Sequence, residues 1–226
     1  MAGRDYSLIQ WPEYFSPRGI ELHANAPVNS GPPPALGAPA RVMNDAGLWR
    51  LSWKESPIHG WRTQALRSLL LNGITTSRAY RVPVWDYRHA AAVRSAGVPF
   101  SNLASFSNEA LFAGPAPTAI VAVAAAADLT RITLTVPTGT VLQPGHIIGA
   151  GDRAYFLWNV EIGTTTTTVS FWPKLREPLA LGEVIELAMP HVRMNIERDS
   201  VNQTLGDLDL GIFGTVSLNF IEDTWS

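Results

Sequence analysis

Cysteine is absent from this chain of 226 residues. Its absence excludes disulfide scaffolds, thiolate metal sites and cysteine nucleophiles, and it leaves five histidines as possible ligands. Long apolar runs are also absent, because no segment reaches the roughly 18 residues that cross a bilayer. Arg4 and Asp5 stand where a signal peptide needs apolar residues. The sequence therefore predicts a soluble protein with no membrane insertion and no export signal.

Charged residues are scarce, at 16% of the chain, against about 25% in typical soluble proteins. The net charge of -2 gives no general attraction to phosphate backbones, so we expect no nucleic-acid specificity. Only two of the 17 basic residues, Lys54 and Lys174, are lysines. Arginine is enriched at protein interfaces, although a GC-rich genome would produce the same bias. The low charge predicts a surface that other subunits partly cover.

The first half of the chain shows a strand pattern followed by a helix pattern. Leu48–Lys54 alternates, with Trp49 and Trp53 on one side, which is typical of a strand with one buried face. Trp61–Leu71 then has apolar residues at helical spacing. Asn72-Gly73 is expected to end that helix. Together these patterns predict one helix lying on a sheet.

Two segments of different composition flank this strand and helix. Ala26–Pro39, with the sequence APVNSGPPPALGAP, is too rich in proline and glycine to sustain a hydrogen-bond ladder, so an extended arm or long loop is expected. Tyr80–Trp85 resumes a strand pattern, and Pro83 confines that strand to a sheet edge or a bulge. Ala90–Pro117 has no firm period and is expected to be a connector that ends at a domain boundary.

The second half predicts a small β module between Ala119 and Glu197. About six short strands at roughly ten-residue spacing are typical of a sandwich or barrel. Gly211–Trp225 alternates again after the module is complete, so we expect that strand to return to the first domain. The predicted module strands are Arg131–Val136, Ala154–Val160, Thr166–Trp172, Val184–Leu187 and Val192–Ile196.

The predicted fold class is therefore mainly β. Residues 1–117 and 198–226 form an N-terminal β-sheet domain with one packed α-helix. Residues 118–197 form a β-sandwich or barrel module inserted before the C-terminal strand. Within the module, Ala122–Ala127 fits a helix or a strand edge. Thr164–Thr168 predicts either a hairpin arm or an exposed edge that pairs with another subunit.

No pattern of reactive residues indicates catalysis. Asp86 and His89 are three residues apart, but no third ligand is near, so a structural loop pair is expected. His146 and Asp152 flank Gly149-Ala150-Gly151, which precedes a strand and lacks the ending of a phosphate-binding loop, so a hairpin turn is expected. The other histidines are expected to be solvated or singly hydrogen-bonded: His23, His59 and His191. We therefore predict no catalytic residue, no cofactor and no metal site.

Several of these segments together resemble tail-tip proteins of long-tailed bacteriophages. They are the strand with Trp49 and Trp53, the helix Trp61–Leu71, the strand ending Val84-Trp85-Asp86, the turn Leu142-Gln143-Pro144-Gly145 and the stretch Phe171-Trp172-Pro173-Lys174-Leu175-Arg176. Within that group the chain resembles the distal tail proteins, from about Arg41 onward. The Ala26–Pro39 arm and the insertion of the module before the final strand depart from the family pattern.

This resemblance implies a structural subunit of the virion tail tip, assembled in the bacterial cytoplasm and without enzymatic activity. The sheet-plus-helix domain would form a six-fold ring under the tail tube, and the β module would project outward. The implied partners are further copies of the chain, the tail tube protein, the tape-measure protein and the tail hub proteins. For the ring domain we predict Trp49, Trp53, Trp61 and Leu69 as core, and Arg50, Lys54, Arg62 and Arg67 as inter-subunit contacts.

A second hypothesis is a carbohydrate-binding or receptor-binding adhesin whose partner is a host surface glycan. In that case exposed aromatic side chains of the module would stack on sugar rings. The candidates are Tyr155, Trp158 and Trp172. A glycan hydrolase is the least favoured hypothesis, because no two carboxylates stand out as an acid and a base.

Overall fold

The computed structural model describes residues 8–12, 14–15, 17, 19–25, 28–30, 41–43, 47–76, 78–84, 118–138, 140–208 and 213–224. The chain divides into two compact units, residues 1–85 with 192–226, and residues 86–191. The second unit is thus inserted in the first. The mainly β fold class predicted from the sequence is confirmed.

The first unit contains a mixed six-stranded sheet. Its strands are β1 (Ile9–Gln10), β2 (Gly19–Asn25), β5 (Leu48–His59), β6 (Tyr80–Pro83), β13 (His191–Ile196) and β14 (Phe213–Glu222). Their order in the sheet is β1-β6-β13-β14-β5-β2. β1 runs parallel to β6, whereas the pairs β13–β14, β14–β5 and β5–β2 are antiparallel. The predicted module included residues 192–196, but β13 pairs with β14 and therefore belongs to this sheet.

β5 is the long central strand of the sheet, with β14 on one side and β2 on the other. Trp49, Leu51 and Trp53 are all buried, while Arg50 and Lys54 on the opposite face are exposed. The predicted strand and its two core tryptophans are confirmed. The strand continues to His59, five residues beyond the predicted end, because β14 pairs with it up to Phe213 opposite His59.

Helix α1 spans Trp61–Thr76 and buries Thr63, Leu66, Leu70 and Gly73. The sequence placed Trp61 and Leu69 on the buried face. That prediction is wrong for Trp61, which is 62% exposed, and Leu69 is only half-buried. The buried stripe runs through Leu66 and Leu70, one residue beyond the line of Trp61 and Leu69 that was predicted as core.

The helix also passes through Asn72-Gly73, where the sequence predicted its end. Gly73 has a packing role. A Cβ atom built at this position would lie 1.6 Å from the Tyr80 hydroxyl, so only glycine lets β6 approach the helix. Tyr80 starts β6, which ends at Pro83 and lies one strand in from the sheet edge, beside the two-residue β1.

Helix α2 (Arg198–Asp207) follows β13 and was not predicted. It packs against β14 through polar side chains: Thr204 Oγ1 donates to the Ser217 carbonyl at 3.1 Å, and Ser200 Oγ accepts from the Asn219 N–H at 3.2 Å. Two of its three buried residues, Ser200 and Thr204, are polar and only Val201 is apolar, so the helix lacks the apolar spacing that sequence analysis detects.

Two short strands, β3 (Val28–Ser30) and β4 (Arg41–Met43), form a separate two-stranded ladder closed by the pair Ser30–Arg41. The prediction that Ala26–Pro39 sustains no ladder is wrong for Val28–Ser30, and the rest of that segment lies outside the described residues. The predicted Ala90–Pro117 connector also lies outside them.

The second unit contains a closed six-stranded barrel. Its strands are β7 (Thr118–Val121), β8 (Arg131–Thr135), β9 (Ile147–Ala150), β10 (Arg153–Ile162), β11 (Thr167–Trp172) and β12 (Val184–Glu186). Their order around the barrel is β10-β11-β8-β7-β12-β9. The core includes Leu134, Leu157, Phe171 and Ile185. Thr118 at the start of β7 pairs with Glu186 at the end of β12, so the first and last strands of the barrel are neighbours.

Barrel closure decides between the alternatives left open for the threonine run. Thr167 and Thr168 pair with β10 on one side and with β8 on the other, so they belong to a hairpin arm in the barrel wall. The alternative of an exposed subunit edge is wrong. Ala122–Ala127 forms neither a helix nor a regular strand, and only Ala125 makes an isolated bridge, to Leu179.

Candidate interaction surfaces

The core of the first unit is built around Trp11, which sequence analysis missed. Its ring centroid lies 4.7 Å from that of Trp53, 5.3 Å from Phe220 and 5.7 Å from Tyr80, in edge-on geometry. Its indole N–H donates to the Phe15 carbonyl at 3.2 Å. Trp11 lies just after a two-residue strand and belongs to no periodic pattern, so only its size and apolar character indicated burial.

Tyr14, on the turn after Trp11, forms an exposed aromatic pair with Trp61 at the start of α1. Tyr14 is 42% exposed and Trp61 is 62% exposed, and their ring centroids are 5.1 Å apart. The Arg62 guanidinium lies 5.9 Å from the Trp61 ring centroid, within cation–π range. Two aromatic rings and one cation therefore form a continuous exposed surface at the start of α1.

A groove of about 290 Å³ opens beside this pair. We call it the aromatic groove. Seven of its ten lining residues have apolar side chains, and polar and apolar atoms share its exposed surface about equally. The polar side chains are those of Tyr14, Ser56 and Arg62. Its lining residues are Tyr14, Phe15, Pro17, Trp53, Ser56, Pro57, Ile58, Arg62, Leu66 and Val216.

A second cleft of about 290 Å³, which we call the arginine cleft, lies between the end of α1 and the start of α2. Arg78 and Arg198 lie on it, with Asn195 and Tyr80. The Tyr80 hydroxyl donates to the Leu69 carbonyl at 3.0 Å, and burial raises the pKa of Tyr80 to about 12. Tyr80 therefore stays neutral and ties β6 to α1.

The predicted contact residues of the first unit are all exposed, on two surfaces. Arg50 and Lys54 lie on the sheet face opposite the buried tryptophans, whereas Arg62 and Arg67 lie on α1. Lys54 Nζ is 2.5 Å from Glu21 on β2, and this contact, followed by the weaker effect of His23, lowers the pKa of the Glu21 carboxyl. Lys54, which was predicted as an inter-subunit contact, thus forms an ion pair within its own chain.

Two acids at the end of the C-terminal strand, Glu222 and Asp223, are buried in the first unit. Asp223 is 2.8 Å from Arg193 of β13, and both side chains are largely buried. Glu222 accepts a hydrogen bond from the Trp49 N–H at 3.0 Å. Because these bonds connect β14 with β13 and with the start of β5, the charges have a structural role.

The barrel places its three candidate glycan-contact aromatics differently. Tyr155 is only 3% exposed, because it packs on Phe171 with the ring centroids 5.0 Å apart, so the prediction that it is exposed is wrong. Trp172 is half-buried opposite Phe156. Trp158 is 58% exposed, where a bulge interrupts the β10–β11 register. Trp158 is therefore the one of the three with a largely free ring.

No protein-family model and no curated protein matches this chain. The features that bear on its function are therefore the sequence resemblance and the surfaces described above.

The histidines form small local contacts. His191 Nδ1 is 3.0 Å from Glu186, His23 is 3.4 Å from Glu21, and buried His146 accepts the Gln143 N–H. Asp86, His89, Trp85 and Trp225 lie outside the described residues. Across the described ranges, no group of three or more histidines and acids is arranged to hold a metal ion. Neither described helix is long and apolar enough to span a membrane.

Proposed function

We propose that this chain is a structural subunit of a bacteriophage tail tip, in which copies form a ring between the tail tube and the hub. The supporting observation is the two-part architecture: a mixed sheet carrying α1, with a closed barrel inserted in the same chain. The sequence resemblance implies a sheet-plus-helix domain and a second β domain. This chain has both domains, although its second domain is inserted within the first and does not follow it.

The sheet of the first unit offers a strand edge for contact between copies. β2 is the last strand in the sheet order, and its seven residues pair with β5 on one side only, among the strands that the structure describes. An edge strand of this length is a template for pairing with another chain. The barrel is closed, so we assign strand-mediated contacts to the first unit.

The outer face of α1 supports the same assignment. Trp61 is 62% exposed, Leu71 43% and Ile74 37%. Arg62 and Arg67 are exposed on the same helix. Aromatic residues and arginine are enriched in protein interfaces, whereas lysine and the acids are depleted. This composition fits a helix that a neighbouring subunit covers.

The direct test is immunogold electron microscopy of purified phage-like particles with antibodies raised against this chain. We expect gold at the tail tip, and quantitative mass spectrometry should give about six copies per particle, the number that the resemblance implies. A particle preparation that excludes the chain, or gold on the capsid, would contradict the proposal.

A second candidate function is glycan binding by the barrel, favoured by the exposed Trp158 ring. The test is a titration of the protein with host cell-wall glycans, followed by tryptophan fluorescence. If Trp158 is the platform, Trp158→Ala abolishes the signal, whereas Trp61→Ala, which removes an exposed tryptophan of the other unit, retains it. Silence across the panel removes this function without affecting the ring proposal.

A further inference from the structure

We propose that the aromatic groove binds the proline-rich loop, residues 31–40, of a second copy of this chain. This inference deepens the proposed ring function and depends on its self-assembly. It identifies which segment of one copy meets which surface of the next.

The groove has the chemistry of a proline-binding surface. Tyr14 and Trp53 contribute aromatic rings, while Pro17, Pro57 and Ile58 complete an apolar wall. Aromatic-lined grooves bind extended proline-rich segments by packing pyrrolidine rings against aromatic rings. Extended proline segments also keep their backbone carbonyls free for hydrogen bonding.

Two exposed groups at the groove can orient such a ligand. Arg62 lines the groove, and its guanidinium carries several N–H donors for backbone carbonyls. Tyr14 is 42% exposed and presents both a ring face and a hydroxyl. The four prolines of such a ligand lack N–H donors while its carbonyls are free, so it matches a wall that supplies donors and rings.

The loop has the matching composition. Its ten residues, GPPPALGAPA, include four prolines and one leucine and carry no charged side chain. Three consecutive prolines fix φ near −65° and lose little conformational entropy on binding. Because the loop has no charged side chain, burying the loop removes no charged group of its own from water.

The position of the loop in the chain favours the loop of another copy. Gly19 at the start of β2 pairs with Lys54, next to groove residue Trp53, whereas Asn25 at its end pairs with Leu48. Seven residues of strand separate these points by about 20 Å, and residues 26–30 link Asn25 to the loop, so the chain's own loop can also span this distance. We assign the loop of a second copy because it follows the edge strand β2, which is assigned above to contact between copies.

The first experiment measures binding of a synthetic peptide, residues 30–40 (SGPPPALGAPA), to a loop-shortened chain in which Asn-Gly replaces residues 31–40. Asn-Gly suits the two-residue turn between the paired Ser30 and Arg41. We expect saturable binding by calorimetry. The same peptide with all prolines replaced by alanine should not bind. Failure of the proline peptide to bind overturns the inference.

Groove variants locate the binding surface. Tyr14→Ala and Arg62→Ala should each weaken peptide binding by about tenfold, the size of a typical interface anchor. Both side chains are exposed, so urea unfolding should show unchanged stability. Trp158→Ala on the barrel is the matched control and should bind like the parent. Equal binding by all three variants overturns the assignment to this groove.

Self-association separates this inference from the proposed function. By analytical ultracentrifugation, the full chain should associate, and the loop-shortened chain should lose that association. If both chains associate equally, the loop inference is wrong while the ring proposal stands. If the full chain stays monomeric at every concentration but the peptide binds the groove, the ring proposal and the assignment to a second copy are both wrong, and the groove binds the chain's own loop.

Discussion

Gly73 shows how a single position can carry a packing constraint that local sequence rules misinterpret. It lies inside α1, where glycine costs about 1 kcal/mol relative to alanine. The structure gives the compensation, because the Tyr80 hydroxyl occupies the space of a Cβ. The Asn-Gly pair predicted a helix end because this pair commonly follows the last turn of a helix. The requirement for glycine comes instead from Tyr80, seven positions later in the chain.

Gly73→Ala should therefore destabilise the protein, although alanine is the better helix former. We expect a loss of about 1–3 kcal/mol in the free energy of unfolding, measured in urea, because Tyr80 must shift. Gly206→Ala in α2 is the control, since no atom lies within 4 Å of its built Cβ. Gly206→Ala should be neutral or stabilising, and a Gly73→Ala variant that behaves the same way would refute the packing argument.

Tyr80 also predicts a dependence of stability on alkaline pH. Its pKa is raised by burial to about 12, from about 10 in an unfolded chain. The neutral phenol thus contributes stability that is fully present below pH 10 and is lost as the pH rises through 12. At neutral pH, Tyr80→Phe should be less stable by about 1 kcal/mol, because the bond to Leu69 is lost.

The measurement is urea unfolding of the parent and of Tyr80→Phe at pH 8 and at pH 11.5. The parent should lose more stability between these values than the variant, so that the difference between them shrinks. A constant difference would show that the phenol titrates alike in the folded and unfolded chains.

The buried pair of Arg193 and Asp223 gives a third prediction at this scale. Asp223→Ala leaves the arginine without its partner at 2.8 Å, and breaking a buried pair in this way costs about 3 kcal/mol. Glu161→Gln removes an exposed partner of Arg131 and should cost less than about 1 kcal/mol. Equal losses in thermal unfolding would mean that burial of the Asp223 pair is irrelevant.

At the scale of elements, the sequence predicted the strands that are buried on one face only, because only these alternate between apolar and polar residues. β5 was predicted correctly because Trp49 and Trp53 alternate with exposed residues. β9 was missed as a strand because Ile147–Ala150 is buried on both faces, so its sequence does not alternate. For α1 the helical spacing was predicted correctly, but the buried face was not. Trp61 was predicted as core because it is large and apolar, whereas in the structure it packs on Tyr14 at the surface.

The candidate surfaces were predictable to a smaller extent. The exposed basic residues followed from alternation and helical spacing. The aromatic groove did not, because it brings together Tyr14, Trp53, Arg62 and Val216, which are distant in sequence. Tyr155 was placed outside because strand periodicity does not reveal which face of a barrel is interior.

Barrel closure predicts that the inserted unit folds without the rest of the chain. Thr118 and Glu186 are paired, so both ends of the excised segment meet in one ladder, and its core is internal to the unit. Residues 118–190 should give a cooperative two-state urea transition and dispersed amide resonances. The same fragment carrying Leu157→Ala, which empties a fully buried position, should lose about 2–5 kcal/mol.

An unfolded parent fragment would contradict the description of the barrel as a self-contained element. Equal stability of the parent and the Leu157→Ala fragment would contradict the position of Leu157 in its core.

At the scale of the whole molecule, three properties favour the proposed assembly. The chain has few charges, α1 exposes Trp61, Leu71 and Ile74, and the sheet ends in a seven-residue edge strand. The inserted barrel has closed its own edges, so it adds a module without adding a second site for strand pairing. In the ring that we propose, the first unit would therefore provide the strand-mediated contacts between copies.

Native mass spectrometry of the purified full chain, over a wide range of protein concentrations, tests self-assembly most directly. The account predicts a discrete closed species of six 24.6 kDa protomers, seen as rings by negative-stain electron microscopy. A single species at the mass of one protomer at every concentration would contradict it.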